Sequence, residues 1–314
     1  MKKLLLSAFV ICLAGTSIAQ ESPLWMRHCA LSPDGTTIAF TYKGDIYTVP
    51  STGGRATQIT TNPAFDTEPV WSPDSKQIAF ASDRMGSLDV FVVSSEGGAP
   101  QRLTTHSGSE KPVAYKDNKH ILFTANIAPS AEDAGFPSGQ FQQVYEVAVT
   151  GGRPAMFSSM PMECISINKE GVMLYQDKKG YEDYWRKHQV SPIARDIWTY
   201  TPGKKPVYQK QTTFGGEDRE PVWSPDGKSF YYLSEEKGSF NIFQRTPGTT
   251  TSQQITFHTK HPVRFLSIST TGTLCYGYDG EIYTLVPGKQ PQKVNISILA
   301  DKNDKDIIRQ IKSN

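Results

Sequence analysis

Outside its first twenty residues this 314-residue chain has no long hydrophobic run. A membrane-spanning helix needs about 20 consecutive apolar residues, so no later segment is expected to cross a bilayer. Neither charge is in excess. Lys and Arg number 33 against 31 Asp and Glu, which argues against an extended nucleic-acid-binding face. Cysteine is scarce: Cys12 lies in the leading apolar run, and only Cys29, Cys164 and Cys275 follow it. That odd number excludes a complete disulfide framework, and none of the three has a second cysteine or a histidine at metal-ligand spacing. Each falls on a predicted strand and reads as a buried free thiol.

Sustained 3.6-residue apolar periodicity is also missing, which excludes a helical architecture. So are the signatures of common chemistries: Gly-x-Ser-x-Gly, His-Glu-x-x-His, a phosphate-binding Gly-Lys-Ser/Thr loop and a dinucleotide fingerprint. The six histidines are dispersed, and His258 and His261 lie in the polar stretch "FHTKHP", a poor basis for a metal site. No cofactor, metal ion or catalytic residue is expected on these grounds.

What is present begins with "MKKLLLSAFVICLAGTSIAQ". Two lysines, an apolar run and a small-residue ending make residues 1–20 read as a secretory signal peptide, so the mature protein is expected to be exported, periplasmic or secreted. Val10 and Ile11 before Cys12 are not small residues, which argues against lipid attachment there.

The rest of the chain repeats itself. "EPVWSPDSKQIAF" at 68–80 returns as "EPVWSPDGKSFYY" at 220–232. Six strands of one type ("IAF" 38–40, "IAF" 78–80, "ILF" 121–123, "MLY" 173–175, "FYY" 230–232, "LCY" 274–276) are each followed by a second type. Those are "DIYTV" 45–49, "DVFVV" 89–93, "VYEVAV" 144–149, "DIWTY" 196–200, "NIFQR" 241–245 and "EIYTL" 281–285. A glycine turn and a short closing strand complete each unit. Four short strands per unit, recurring six times, predict an all-β, six-bladed β-propeller of four-stranded antiparallel blades. The blades are placed at about 24–60, 66–104, 110–158, 161–212, 218–256 and 261–297, with 298–314 a polar tail or the start of a linker to a missing domain. Each end of the repeat carries a whole unit, so the ring is expected to close without a shared blade. Packing alone would then hold blades one and six together, leaving that seam the weakest.

The Ser-Pro-Asp-Gly phrases are predicted to be turns between a blade's first and second strands. Pro fits the first central position of a type I turn and Asp the second, so their Ser and Asp need no catalytic role. Blades three and four carry insertions between their second and third strands, at 124–142 and 176–195, on the face opposite those turns. Long loops on a rigid scaffold are where binding concentrates. In the second insertion Tyr181 and Trp185, Glu182 and Arg186, and Tyr184 and His188 are each four apart, as on one helical turn. Its Trp185, Arg186, His188 and Arg195 are candidate peptide contacts, and a self-packed loop remains the alternative. Counting four residues back from each turn gives His28, Glu68, Lys111, Glu163, Glu220 and Arg264. These are candidates for a ring at the channel mouth if the first strand is innermost, and caps in water otherwise.

These repeats resemble the WD40-like (PD40) repeats of the TolB and tricorn-protease propellers. The block "YEDYWRKHQVSPIARDIWTY" resembles more particularly the fourth blade of exported tricorn-type proteases of the S41 peptidase class. The resemblance covers about 22–297. It implies the amino-terminal propeller of a tricorn-like serine protease, which gates or guides peptides toward a peptidase domain with no counterpart in these residues. The implied partners are peptides or protein segments and the protease's other domains, with no nucleic acid and no membrane span. A TolB-like periplasmic protein-binding scaffold is the alternative. A propeller enzyme acting on carbohydrate would need clustered channel-facing histidines and acids, which the sequence does not offer.

Overall fold

The computed structural model describes residues 23–299, apart from 107, 128–141, 181–184, 187 and 189. The signal-peptide and tail assignments, most of the first insertion, and Tyr181, Glu182 and Tyr184 of the second lie outside the described residues.

Six four-stranded antiparallel sheets follow one another along the chain, each with its strands in sequence order. Blade 1 comprises Arg27–Leu31, Thr37–Tyr42, Asp45–Pro50 and Thr57–Gln58; blade 2 comprises Asp66–Trp71, Gln77–Ser82, Asp89–Ser94 and Gln101–Arg102. Blade 3 has Lys111–Asp117, His120–Ala125, Gln143–Ala148 and Ala155–Ser158; blade 4 has Met162–Ile167, Met173–Asp177, Ile197–Thr201 and Val207–Lys210. Blade 5 has Asp218–Trp223, Phe230–Ser234, Asn241–Arg245 and Ser252–Gln254; blade 6 has Arg264–Ile268, Leu274–Tyr278, Glu281–Leu285 and Gln292–Lys293. First strands of neighbouring blades adjoin all round, including the first and last, so the first strand is the innermost.

The second strands are buried on both faces because each sheet packs between two others, and the third strands of blades 1 and 2 share that burial. That burial explains their bulky, β-branched and aromatic content. Their register sets an aromatic pair at the same place in every blade: Phe40 against Tyr47, Phe80 against Phe91, Phe123 against Tyr145, Tyr175 against Trp198, Tyr232 against Phe243 and Tyr276 against Tyr283. Five of these have ring centroids 5.7–6.0 Å apart. Such a pair contributes about 0.5–1.5 kcal/mol beyond the area it buries.

The turn phrases fold as their residue types predict. Ser32, Ser72 and Ser224 each direct a hydroxyl to the Asp two residues on, and each hydroxyl accepts the backbone N–H of the residue five further along, at the start of the next strand or just before it. The Ser72 hydroxyl holds the Asp74 carboxyl below its usual range, and Ser224 does the same for Asp226. All three serine–aspartate pairs are occupied by the turn itself.

No blade is shared, as expected, but packing is not the whole of the closure. Backbone hydrogen bonds cross the seam from Met26 N–H to Gly280 O (3.1 Å) and from Thr270 N–H to Pro33 O (2.8 Å). The chain beyond blade 6 also does not simply extend that blade's edge. Ile296–Ser297 pairs in parallel with Gly54–Arg55 of blade 1, and Gly54 and Ala56 donate to Asn295 O and Ser297 O, both at 2.8 Å. Gly53 makes room for this strap: its φ is +92°, and a Cβ there would lie 2.7 Å from Asn295 O.

Candidate functional site

The candidate site is the channel mouth on the face opposite the Ser-Pro-Asp turns. Every first strand enters from this face through a β-bulge against its second strand. In five blades one bulge residue is left-handed: His28, Glu68, Cys164, Glu220 and Phe265, with φ between 49° and 59°. Blade 3 has Pro112 at the shift, whose ring forbids that conformation. Such bulges re-aim a side chain, here at the rim of the channel.

This geometry corrects the ring count. Blades 4 and 6 open their turns at Asn168 and Ser269, the residues whose carbonyls accept from Gly171 and Gly272. Counting back four from Ile167 and Ile268, as the sequence count to Glu163 and Arg264 does, is therefore one residue early. The bulge equivalents of His28 are Cys164 and Phe265, with Glu163 and Arg264 one residue earlier; in blade 3, where Tyr115 pairs with Ile121 as Trp71 does with Ile78, the equivalent is Pro112 and Lys111 likewise sits one residue earlier. Without a Ser-Pro-Asp marker the repeats could be slid by one, and a one-residue slip moves a strand residue to the other face.

The ring residues do not form a uniform belt; they pair with neighbours. Glu68 and Lys111 join blades 2 and 3 at 2.7 Å, with side chains about a third exposed. His28 Nδ1 lies 3.0 Å from the Thr67 hydroxyl, and its ring packs edge-on against Phe265 at 4.7 Å. Burial pushes the His28 imidazole down to about 4, so it is neutral near pH 7. Glu220 accepts the Leu266 N–H (2.8 Å), while its own N–H donates to Gln176 Oε1 (2.9 Å), tying blades 4, 5 and 6 together.

Arg195, a candidate peptide contact from the sequence, is 4% exposed. Its guanidinium lies between Glu163 (3.3 Å) and Glu217 (3.4 Å), and Glu217 in turn binds Arg219 at 2.8 Å. Burial alone would raise the Glu163 carboxyl, but Lys178 and Arg195 outweigh it and hold that carboxyl below its usual range. Arg195 therefore anchors the base of the blade 4 insertion.

The described residues of the insertion beyond that base lie over the mouth. Ser191 N–H donates to Gly215 O (3.4 Å) in the link to blade 5, and His188 Nδ1 lies 3.7 Å from Glu235 of blade 5. Trp185, about half exposed, reaches the far side of the ring. There the Arg264 guanidinium of blade 6 lies 4.9 Å from its ring centroid and that of Arg27 of blade 1 lies 5.2 Å away. Arg186 is exposed beside it. Trp185 and His188 thus lie on the mouth face, Trp185 against blades 1 and 6 and His188 against blade 5. Arg27 and exposed Trp25, which also stack at 5.9 Å, were not recognised from the sequence because they precede the first repeat marker.

Elsewhere the chemistry is structural. His258 stacks on Tyr278 at 3.8 Å and contacts the Tyr276 hydroxyl at 3.1 Å, while His261 faces Asp279 at 3.3 Å. Among the described residues no three His, Cys, Asp or Glu side chains are grouped to hold a metal ion. No helix of the described residues is long and apolar enough to cross a membrane. A groove of about 290 Å³ between blades 1 and 2 is lined by turn residues Ser32, Asp34 and Ser75, already engaged within and between their turns.

Comparison with known proteins places this geometry. The family model described as the tricorn protease N-terminal beta propeller domain matches residues 23–291. Tricorn protease homolog 1 of Streptomyces coelicolor is 24% identical over 275 residues, covering 85% of this chain and 24% of that protein. The crystal structure of the tricorn protease superposes with a TM-score of 0.74 at 18% identity, over 88% of this chain and 27% of that one. TolB from Acinetobacter baumannii gives 0.57 at 14% identity, over 85% of this chain and 68% of that one. The chain thus spans about a quarter of the length of the tricorn proteins it matches.

Proposed function

Because the chain belongs to the tricorn protease N-terminal β-propeller family, we propose that it is the non-catalytic, peptide-guiding propeller of a tricorn-like serine protease, exported by residues 1–20. The observation that carries this reading is the arm from blade 4, which sets Trp185 between Arg27 and Arg264 on the opposite side of the channel mouth. A cation–π contact of this kind contributes about 0.5–1 kcal/mol at an exposed site, little enough for an incoming segment to displace. Glu68 and Lys111 pair with each other across blades 2 and 3, so the mouth offers the Trp185 ring with the Arg27 and Arg264 guanidiniums beside it. Such a surface suits transient contact with extended peptides of many sequences.

The test is binding of a mixed fluorescent peptide set to the purified chain, followed by anisotropy. Weak, salt-sensitive binding is expected, and Trp185→Ala should shift its affinity by about tenfold, with Arg27→Ala and Arg264→Ala moving it less. Identical affinities in all three variants would remove the mouth from the proposal. Steady peptide hydrolysis by this chain alone would remove its non-catalytic character.

A TolB-like protein-binding scaffold is the second reading, favoured by one observation. The outer strands of blades 3 and 4 expose Met156, Val207 and Tyr208 together with an unpaired sheet edge. Capture of a folded partner that is lost with Val207→Lys but kept with Trp185→Ala would favour that reading.

A further inference from the structure

The thiols of Cys29 and Cys275 belong to different blades but to one place. Cys29 lies on the innermost strand of blade 1 and Cys275 on the second strand of blade 6, and those strands adjoin across the seam. Both are buried in the apolar cluster that fills the seam, with Met26, Phe40, Ile282 and Ile296. Hydrogen bonds fix the approach. Leu31 N–H donates to Ser267 Oγ (3.0 Å), Ser267 is the register partner of Cys275, and the Cys29 thiol points at Phe265 O, 3.4 Å away. The two side chains thus share one buried apolar cluster across the seam. Cys164 sits in blade 4, on the far side of the ring, and is the odd cysteine left over.

We propose that Cys29 and Cys275 are a modification site: a disulfide between them covalently closes the ring at the junction where no blade is shared. The oxidant is a low-molecular-mass disulfide of the kind an exported protein meets. One thiolate attacks that disulfide, expelling one reduced thiol and leaving a mixed disulfide. The second thiolate then displaces the other half, so two electrons pass to the reagent, two protein thiols lose their protons, and one S–S bond forms. Burial raises the Cys29 thiol well above its ordinary value, which makes the closed, reduced ring unreactive. The bond therefore forms while blades 1 and 6 are coming together, and a ring closed in the reduced state stays reduced. Joining positions so distant in sequence restricts the unfolded chain strongly.

The experiment is to unfold the full chain, refold it once with a mixture of reduced and oxidised glutathione and once with reductant only, then alkylate in denaturant and map the cysteines by mass. With oxidised glutathione, a peptide pair linking Cys29 to Cys275 and an alkylated Cys164 are expected. The melting temperature should rise by about 5–10 °C over the reduced form. Cys29→Ala and Cys275→Ala should each abolish the redox dependence of melting, and Cys164→Ala should keep it. Should the alanine variants fail to fold, the map of the unmodified chain still decides. Equal alkylation of all three cysteines in the native refolded protein, or a link from Cys29 to Cys164, overturns the proposal.

Discussion

Blades 2 and 5 spell the same phrase and use it differently at their two ends. At the turn end they work alike, each tryptophan donating to the preceding blade, though at different points of it. Trp71 donates its indole N–H to Ala30 O of the preceding blade (2.8 Å), and Trp223 donates to Val172 O of its own preceding blade (3.1 Å). At the mouth end they part. Asp66 and Asp218 both begin the first strand opposite a serine, Ser82 and Ser234. Two residues beyond that serine, blade 2 has Arg84, which grips Asp66 through both oxygens at 2.9 and 3.0 Å. Blade 5 has Glu236 there. Neither buried carboxylate oxygen of Asp218 has a hydrogen-bond partner among the described residues. Burial pushes its carboxyl up to about 7. The lesson is that a repeat copies what its own turn determines, whereas a buried carboxylate answers to whatever the neighbouring loop supplies.

The comparison is broken most severely by Arg84→Met. It leaves Asp66 buried without its cation, and urea unfolding at pH 7 should show a loss of about 3 kcal/mol. Asp218→Asn should act oppositely. A carboxyl raised from 3.8 to about 7 binds its proton more tightly in the folded state, so its penalty is absent below about pH 4, grows between pH 4 and 7, and is complete above. The variant should therefore match the parent near pH 4 and gain about 2 kcal/mol at pH 8, measured as unfolding free energy against pH. A parent whose stability does not fall between those limits would contradict the assignment. Glu236→Arg sharpens the contrast by giving blade 5 the arrangement of blade 2. It should remove that pH dependence and raise stability at pH 8 by about 1 kcal/mol. At the turn end, Ser72→Ala and Ser224→Ala should each cost about 1 kcal/mol, and equally, since both hydroxyls do the same local work.

The family resemblance and six-bladed plan were legible because both rest on short-range rules. Turn residues, strand composition and the repeat period recur often enough that one degraded copy, such as "YKDN", does not hide the pattern. The ring positions were half legible. His28, Glu68 and Glu220, behind intact Ser-Pro-Asp markers, share one bulge position, while Lys111, Glu163 and Arg264 are offset by one where the marker has eroded. Arg195 was noticed for its charge, but charge alone does not distinguish a ligand contact from an anchor buried between Glu163 and Glu217.

By itself, then, the sequence determined the turns, the strand pairs within each blade and their number, all of which involve residues close together in the chain. Tertiary structure alone decided three things: that Trp185 of blade 4 meets Arg27 and Arg264 across the mouth, that Ile296–Ser297 straps onto blade 1, and that Cys29 and Cys275 share one buried cluster. Each joins positions far apart in sequence. No local preference encodes such a meeting; it exists only once the ring has closed and brought the two ends of the repeat to the same place.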